Sequence, residues 1–110
     1  MKYLTLNEEV LLLTIWRLKD DAYGVSIREE YSRATQKNIV MGTMYNSLDY
    51  LVKKGYVITE KGEPTAERGG RSKIYYRVTK TGLEALKRAK ELHDSVWEEI
   101  PGSIFEKIER

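Results

Sequence analysis

The 110-residue chain contains no cysteine, one histidine, one phenylalanine and two prolines. Without cysteine there are no disulfides, thiolate metal sites or cysteine nucleophiles, which agrees with a reducing compartment. The single imidazole, His93, leaves any metal centre to carboxylates, a poor match to zinc or iron, so neither metal nor other cofactor is expected. No apolar run approaches the roughly 20 residues needed to span a bilayer. Glu8 and Glu9 stand where a signal peptide would be apolar, so the chain is expected to avoid membranes and to work in the cytoplasm. The acidic pairs Asp20-Asp21, Glu29-Glu30 and Glu98-Glu99 read as solvated charge, because adjacent helical residues point about 100° apart. Gly69-Gly70 lacks the lysine and hydroxyl of a phosphate loop, and no nucleophile–base pair is visible, so an enzyme is not expected.

Apolar residues make up 41% of the chain and charged residues 33%, the composition of a single folded unit with room for one appended helix. The net charge of +2 says little about partners, but its distribution does. Residues 1–40 hold six basic and six acidic side chains, residues 41–78 seven and four, and residues 79–110 six and seven. The middle third is the basic one.

Hydrophobic periodicity predicts a first helix over Asn7–Lys19 that is apolar on nearly every side, so it needs two burial partners, the second being another subunit. A second helix is expected from Tyr23 to Ala34, with Gly24 permitting close packing. In the third, Met41, Met44, Leu48, Leu51 and Val52 recur at helical spacing, with Gly55 where a left-handed residue ends a helix. Its opposite face holds Thr43, Asn46, Tyr50 and Lys53, a polar set read as having no acid at its centre. Tyr56–Lys61 and Ser72–Val78 read as a hairpin with a long tip. Thr79 is the expected N-cap of a last helix running to Pro101-Gly102, whose apolar face includes Leu83, Leu92, His93, Val96, Trp97 and Ile100. A face this broad exceeds what one domain buries and predicts packing across a dimer. The tail from Ser103 adds a short amphipathic turn.

This order predicts a mainly α fold with a small β-hairpin wing: a winged helix-turn-helix over residues 1–78, then a C-terminal dimerisation helix and tail over residues 79–110. Thr43, Asn46 and Tyr50 would face base edges or phosphates, and an Asn side chain pairs both donor and acceptor with adenine. Lys53 and Lys54 suit phosphate, while Arg68, Arg71 and Lys73 around the backbone amides of Gly69 and Gly70 suit phosphate or the minor groove. Tyr45, beside the buried stripe, either meets a phosphate through its hydroxyl or packs on the second helix.

The segment GTMYNSLDYLVKKGYV resembles the recognition helix and following strand of the PadR family of transcriptional regulators, and GGRSKIYYRVTKTGLEAL resembles that family's wing and fourth helix. Ala22-Tyr23-Gly24 fits as well, and the resemblance spans about residues 5–100. It implies a homodimer whose last helix crosses its partner, a palindromic double-stranded DNA operator, and repression relieved by a small hydrophobic or aromatic molecule. It also favours the phosphate role for Tyr45. With a single C-terminal helix the chain is similar to the short branch, whose multidrug-responsive members hold a flat aromatic ligand between subunits. Trp16 and Trp97 lie on the corresponding helices, with His93 at the position of the family's pore tryptophan. The competing reading is a winged-helix module that binds protein with this surface and leaves DNA alone; weak binding to every duplex at low salt would distinguish it.

Overall fold

In the computed structural model, which describes residues 2–64 and 72–109, helix α1 (Leu6–Leu18) starts one residue before the expected position. Thr5 is the reason. Its hydroxyl accepts from the Glu8 N–H at 3.2 Å while the Glu8 carboxylate accepts from the Thr5 N–H at 2.7 Å, satisfying two otherwise orphaned donors. Asn7 turns aside and accepts from the Tyr31 hydroxyl at 2.9 Å, tying α1 to helix α2 (Gly24–Thr35). Arg17 of α1 and Arg33 of α2 both grip Glu30, at 3.0 and 2.5 Å. The Arg33 hydrogen bond, followed by that of Arg17, holds the Glu30 carboxyl down to a pKa of about 2.

Gln36 in left-handed conformation closes α2, and helix α3 (Met41–Lys53) follows to complete a helix-turn-helix. One apolar core unites the three helices: Leu11, Leu12 and Ile15 of α1, Ile27 of α2, and Met44, Leu48 and Leu51 of α3. Gly55, at φ 78°, supplies the expected turn out of α3. Strands β1 (Val57–Pro64) and β2 (Ser72–Val78) pair antiparallel with Val57 opposite Val78 and Thr59 opposite Tyr76, and the register shifts between Lys61 and Pro64. Strand β1 thus outruns its expected end at Lys61, because Gly62 lets the Tyr75 ring lie where a Cβ would sit 2.5 Å from it. The α1–α2 turn docks on the other edge of β2: the Tyr76 N–H donates to Ala22 at 2.8 Å and Tyr23 bridges to Tyr75.

Helix α4 (Lys80–Trp97) is capped by Thr79 as expected, its hydroxyl accepting from the Gly82 N–H at 3.0 Å and donating to the Gly55 carbonyl at 2.6 Å. Gly82 packs directly on the Tyr56 backbone carbonyl, leaving no room for a Cβ. Gly82→Ala is therefore expected to lower stability by about 1–3 kcal/mol through overpacking. A thermal melt checks this; an unchanged midpoint would mean that α4 is not clamped to the α3–β1 turn.

The C-terminal end of α4 corrects the sequence reading. The helix stops at Trp97, and Glu99 takes φ 65°, so Ile100 lies beyond the helix rather than on its apolar face. Two causes act together: Glu98 and Glu99 are unfavourable at the negative end of the helix dipole, and Pro101 bars Ile100 from helical backbone. A short 3-10 helix (Gly102–Glu109) then folds back so that Phe105 lies 6.0 Å from the Trp97 ring. The radius of gyration is 16.8 Å, whereas a compact chain of this length would have about 13 Å. Leu92, Val96 and Trp97 remain exposed on α4, as do Ile104, Phe105 and Ile108 on the tail. On α1, Leu6, Leu13 and Trp16 are exposed too, so only one side of this helix finds its partner within the chain. No helix among the described residues is long and apolar enough to cross a membrane.

Candidate nucleic-acid interface

Helix α3 buries Met44, Leu48 and Leu51 and turns Thr43, Asn46, Tyr50 and Lys53 outward, as their spacing predicts. The flanks of this face are less free than its centre. Tyr50 sits against the N-terminal arm beside Lys2 and Tyr3, with the Lys54 ammonium 5.5 Å from its ring centroid. Tyr45, only 40% exposed, lays its hydroxyl over Gly24 at the start of α2, so the packing role open to it from sequence is realised while its edge stays accessible.

Tyr45 and Gly24 also belong to a depression of about 120 Å³ at the base of the hairpin, shared with Tyr23 and Lys73. There the Lys73 ammonium lies 4.0 Å from the Tyr23 ring centroid, and Tyr23 meets Tyr75 edge-on at 5.8 Å. Lys73 is thus drawn toward the body of the protein rather than extended along the wing. Tyr76 beneath it is 7% exposed, and burial, then the charges of Tyr45 and Asp49, push its hydroxyl pKa up. Arg68, Gly69, Gly70 and Arg71, expected at the wing tip, lie outside the described residues.

Two residues of the α3 face escaped the sequence reading. Asp49 is exposed and shares a ridge with Gly42, Asn46 and Lys53, at spacings of four, seven and eleven residues from Gly42. The expectation that no acid stands among these polar residues is therefore corrected; periodicity should have found it, since Asp49 is three residues from Asn46. Gly42 is the other. A Cβ there would meet nothing within 4 Å, so nothing inside the protein requires glycine in this exposed first turn.

Trp16, His93 and Trp97, expected to form an effector site, are not brought together within one chain. Helix α4 runs antiparallel to α1: Leu83 joins Trp16 along a groove of about 280 Å³, while His93 reaches Glu9 at 3.0 Å. Trp97 lies about 21 Å beyond Leu83 at 1.5 Å per helical residue. The Trp16 ring is itself covered by the Lys19 ammonium, 3.1 Å from its centroid. Among the described residues no three acidic, histidine or cysteine side chains gather as metal ligands would.

Three helices, a two-stranded wing with the α1–α2 turn on its inner edge, and an outward polar α3 define a winged helix-turn-helix protein of the type found in transcriptional regulators. The sequence model of the PadR-like family of transcriptional regulators matches residues 12–88. The chain belongs to that family, which consists of regulators rather than enzymes. Similar solved structures include a transcriptional regulator from Clostridium thermocellum, 26% identical, with a TM-score of 0.65 over 84% of this chain and 90% of that one. A PadR family transcription regulator from Clostridium difficile is 22% identical, with a TM-score of 0.60 over 94% of this chain and 98% of that one. RosR of H. salinarum is 25% identical, with a TM-score of 0.67 over 96% of this chain and 87% of that one. No curated protein matches the chain significantly.

Proposed function

We propose that the protein is a homodimeric repressor that binds a palindromic operator in the cytoplasm, with α3 of each subunit in the major groove and the wing on the flanking backbone. The observation that carries this reading is the outer face of α3, where Asn46 and Lys53 are exposed and Lys53 makes no ion pair among the described residues. Residues 1–78 serve as the DNA-binding unit and residues 79–110 as the dimerisation element. In a two-fold dimer docked on one face of the duplex, the half-sites lie about 34–36 Å apart. Support for the dimer comes from the exposed apolar faces of α1, α4 and the tail, which a second copy would cover.

Lys53 and Asn46 separate the two components of binding. Lys53→Ala is expected to weaken all duplexes alike and to reduce the salt slope by about one, whereas Asn46→Ala should chiefly relax base preference, by about 1–3 kcal/mol at one position. Salt titrations on a selected operator and an unrelated duplex check both. An unchanged slope for Lys53→Ala would remove this residue from the phosphate contacts.

Regulation is proposed through a small hydrophobic or aromatic effector taken up at the α1–α4 surface. The groove beside Trp16 supports this, and in the dimer Trp97 and His93 of either subunit are available to extend it. Tryptophan fluorescence should change with any compound that releases DNA; release with unaltered emission would move the effector elsewhere.

A further inference from the structure

We propose that Asp49 is a specificity-determining residue of the α3 face, which selects a cytosine amino group in each half-site and disfavours DNA that lacks one there; this rests on the DNA-binding reading above. The first observation is position. Asp49 is exposed on the same ridge as Gly42, Asn46 and Lys53, so a groove that receives Asn46 also receives Asp49.

The second observation is that Asp49 makes no ion pair among the described residues. Asp49 and Lys53 have the acid-first, four-residue spacing that favours an ion pair, yet no pair forms between them. On α4 the less favourable order, Lys90 before Asp94, does form one, at 2.8 Å. Arg33 likewise closes on Glu30 within α2. Asp49 and Lys53 stay apart and are both presented outward, as acid and base at this spacing also stay apart in Glu29 and Arg33 of α2 and in Glu84 and Arg88 of α4, so the carboxylate of Asp49 is left open to an outside partner.

A carboxylate facing DNA is a liability against phosphates, and an ionised carboxylate only accepts hydrogen bonds. In the major groove guanine presents two acceptors and thymine one, so both repel it. Adenine offers its N6 amino group beside the N7 acceptor, whose lone pair opposes a carboxylate held close. Cytosine offers its N4 amino group beside a C5–H, with no lone pair on the base itself to oppose the approach. Asp49 therefore works in two ways: it weakens binding to arbitrary sequence, and it recovers the loss where a cytosine N4 stands opposite. Such rejection of wrong partners complements the attraction supplied by Lys53 and Lys54.

The test compares the full-length wild type with Asp49→Ala on the selected operator, on that operator with each half-site base pair changed in turn, and on an unrelated duplex. Matching melting temperatures, expected for an exposed position, show that the variant is folded. Wild type is expected to lose about tenfold in affinity when one particular cytosine is replaced by thymine. Asp49→Ala should bind both versions within about twofold of each other and hold the unrelated duplex more tightly than wild type does. If the variant keeps the full wild-type preference at every position, or weakens operator and unrelated duplex alike, the inference is overturned while DNA binding stands. Failure of the wild type on every duplex would overturn the DNA-binding reading, and this inference with it.

Discussion

Val96→Asp is expected to convert the protein from dimer to monomer and to weaken operator binding by about a hundredfold or more. Val96 is 67% exposed in the last turn of α4, one turn on from Leu92 and next to Trp97, whose ring meets Phe105 of the tail. Soluble monomers seldom expose contiguous apolar surface beyond a few hundred Å². An aspartate at this position leaves the monomer core untouched, since Val96 is exposed and stands outside the core cluster, but it would place a charge without a partner inside the proposed subunit interface. The DNA effect follows from linkage: two half-sites held by one dimer gain from an effective concentration in the millimolar range, which separate monomers lose. Sedimentation or light scattering reads the assembly, and a titration with operator reads binding. A Val96→Asp protein that remains dimeric and binds normally would place the interface elsewhere.

Gly42→Ala should move stability and binding in opposite directions. Glycine in a helix costs about 0.5–1 kcal/mol relative to alanine, somewhat less in a first turn, and a Cβ at Gly42 meets nothing within 4 Å. The variant is therefore expected to melt higher. If the start of α3 approaches DNA closely, the same methyl group stands between helix and duplex, and operator affinity should fall roughly tenfold, the effect of one lost close contact. Most damaging substitutions in a binding protein lower stability and binding together, so opposite signs would be diagnostic of an external surface. Higher stability with unaltered affinity would show that α3 does not approach DNA through Gly42.

The element order, the winged arrangement and the Thr79 cap were legible in the sequence because they rest on local signals: apolar residues at helical spacing, β-branched and tyrosine-rich strands, a hydroxyl ahead of an amphipathic helix. The helix boundaries that went astray depended on competition between neighbours. Asn7 and Thr5 are both good caps, and the reciprocal bonds between Thr5 and Glu8, with Asn7 drawn off to Tyr31, decide that Thr5 caps α1. At the far end, Trp97 rather than Pro101 ends α4 because charge and backbone restriction act before the proline itself. Among interface residues, the outward set on α3 was readable from periodicity, but an acid such as Asp49 carries no sign of DNA contact in sequence, where cations and amides do. Gly42 was passed over because the lack of any internal reason for a glycine is visible only once its surroundings are known. The inward turn of Lys73 onto Tyr23 and the separation of Trp16 from Trp97 within one chain depend on tertiary geometry that no spacing rule encodes.

The most direct test of the central claim is a salt titration of the wild-type protein on a genomic fragment selected by it, against an unrelated duplex of equal length. The account predicts a palindromic fragment bound about a thousandfold or more tightly than the control at physiological salt, with both affinities falling as salt rises. Equal and weak binding to both duplexes would contradict it and leave the α3 face as a surface for another protein.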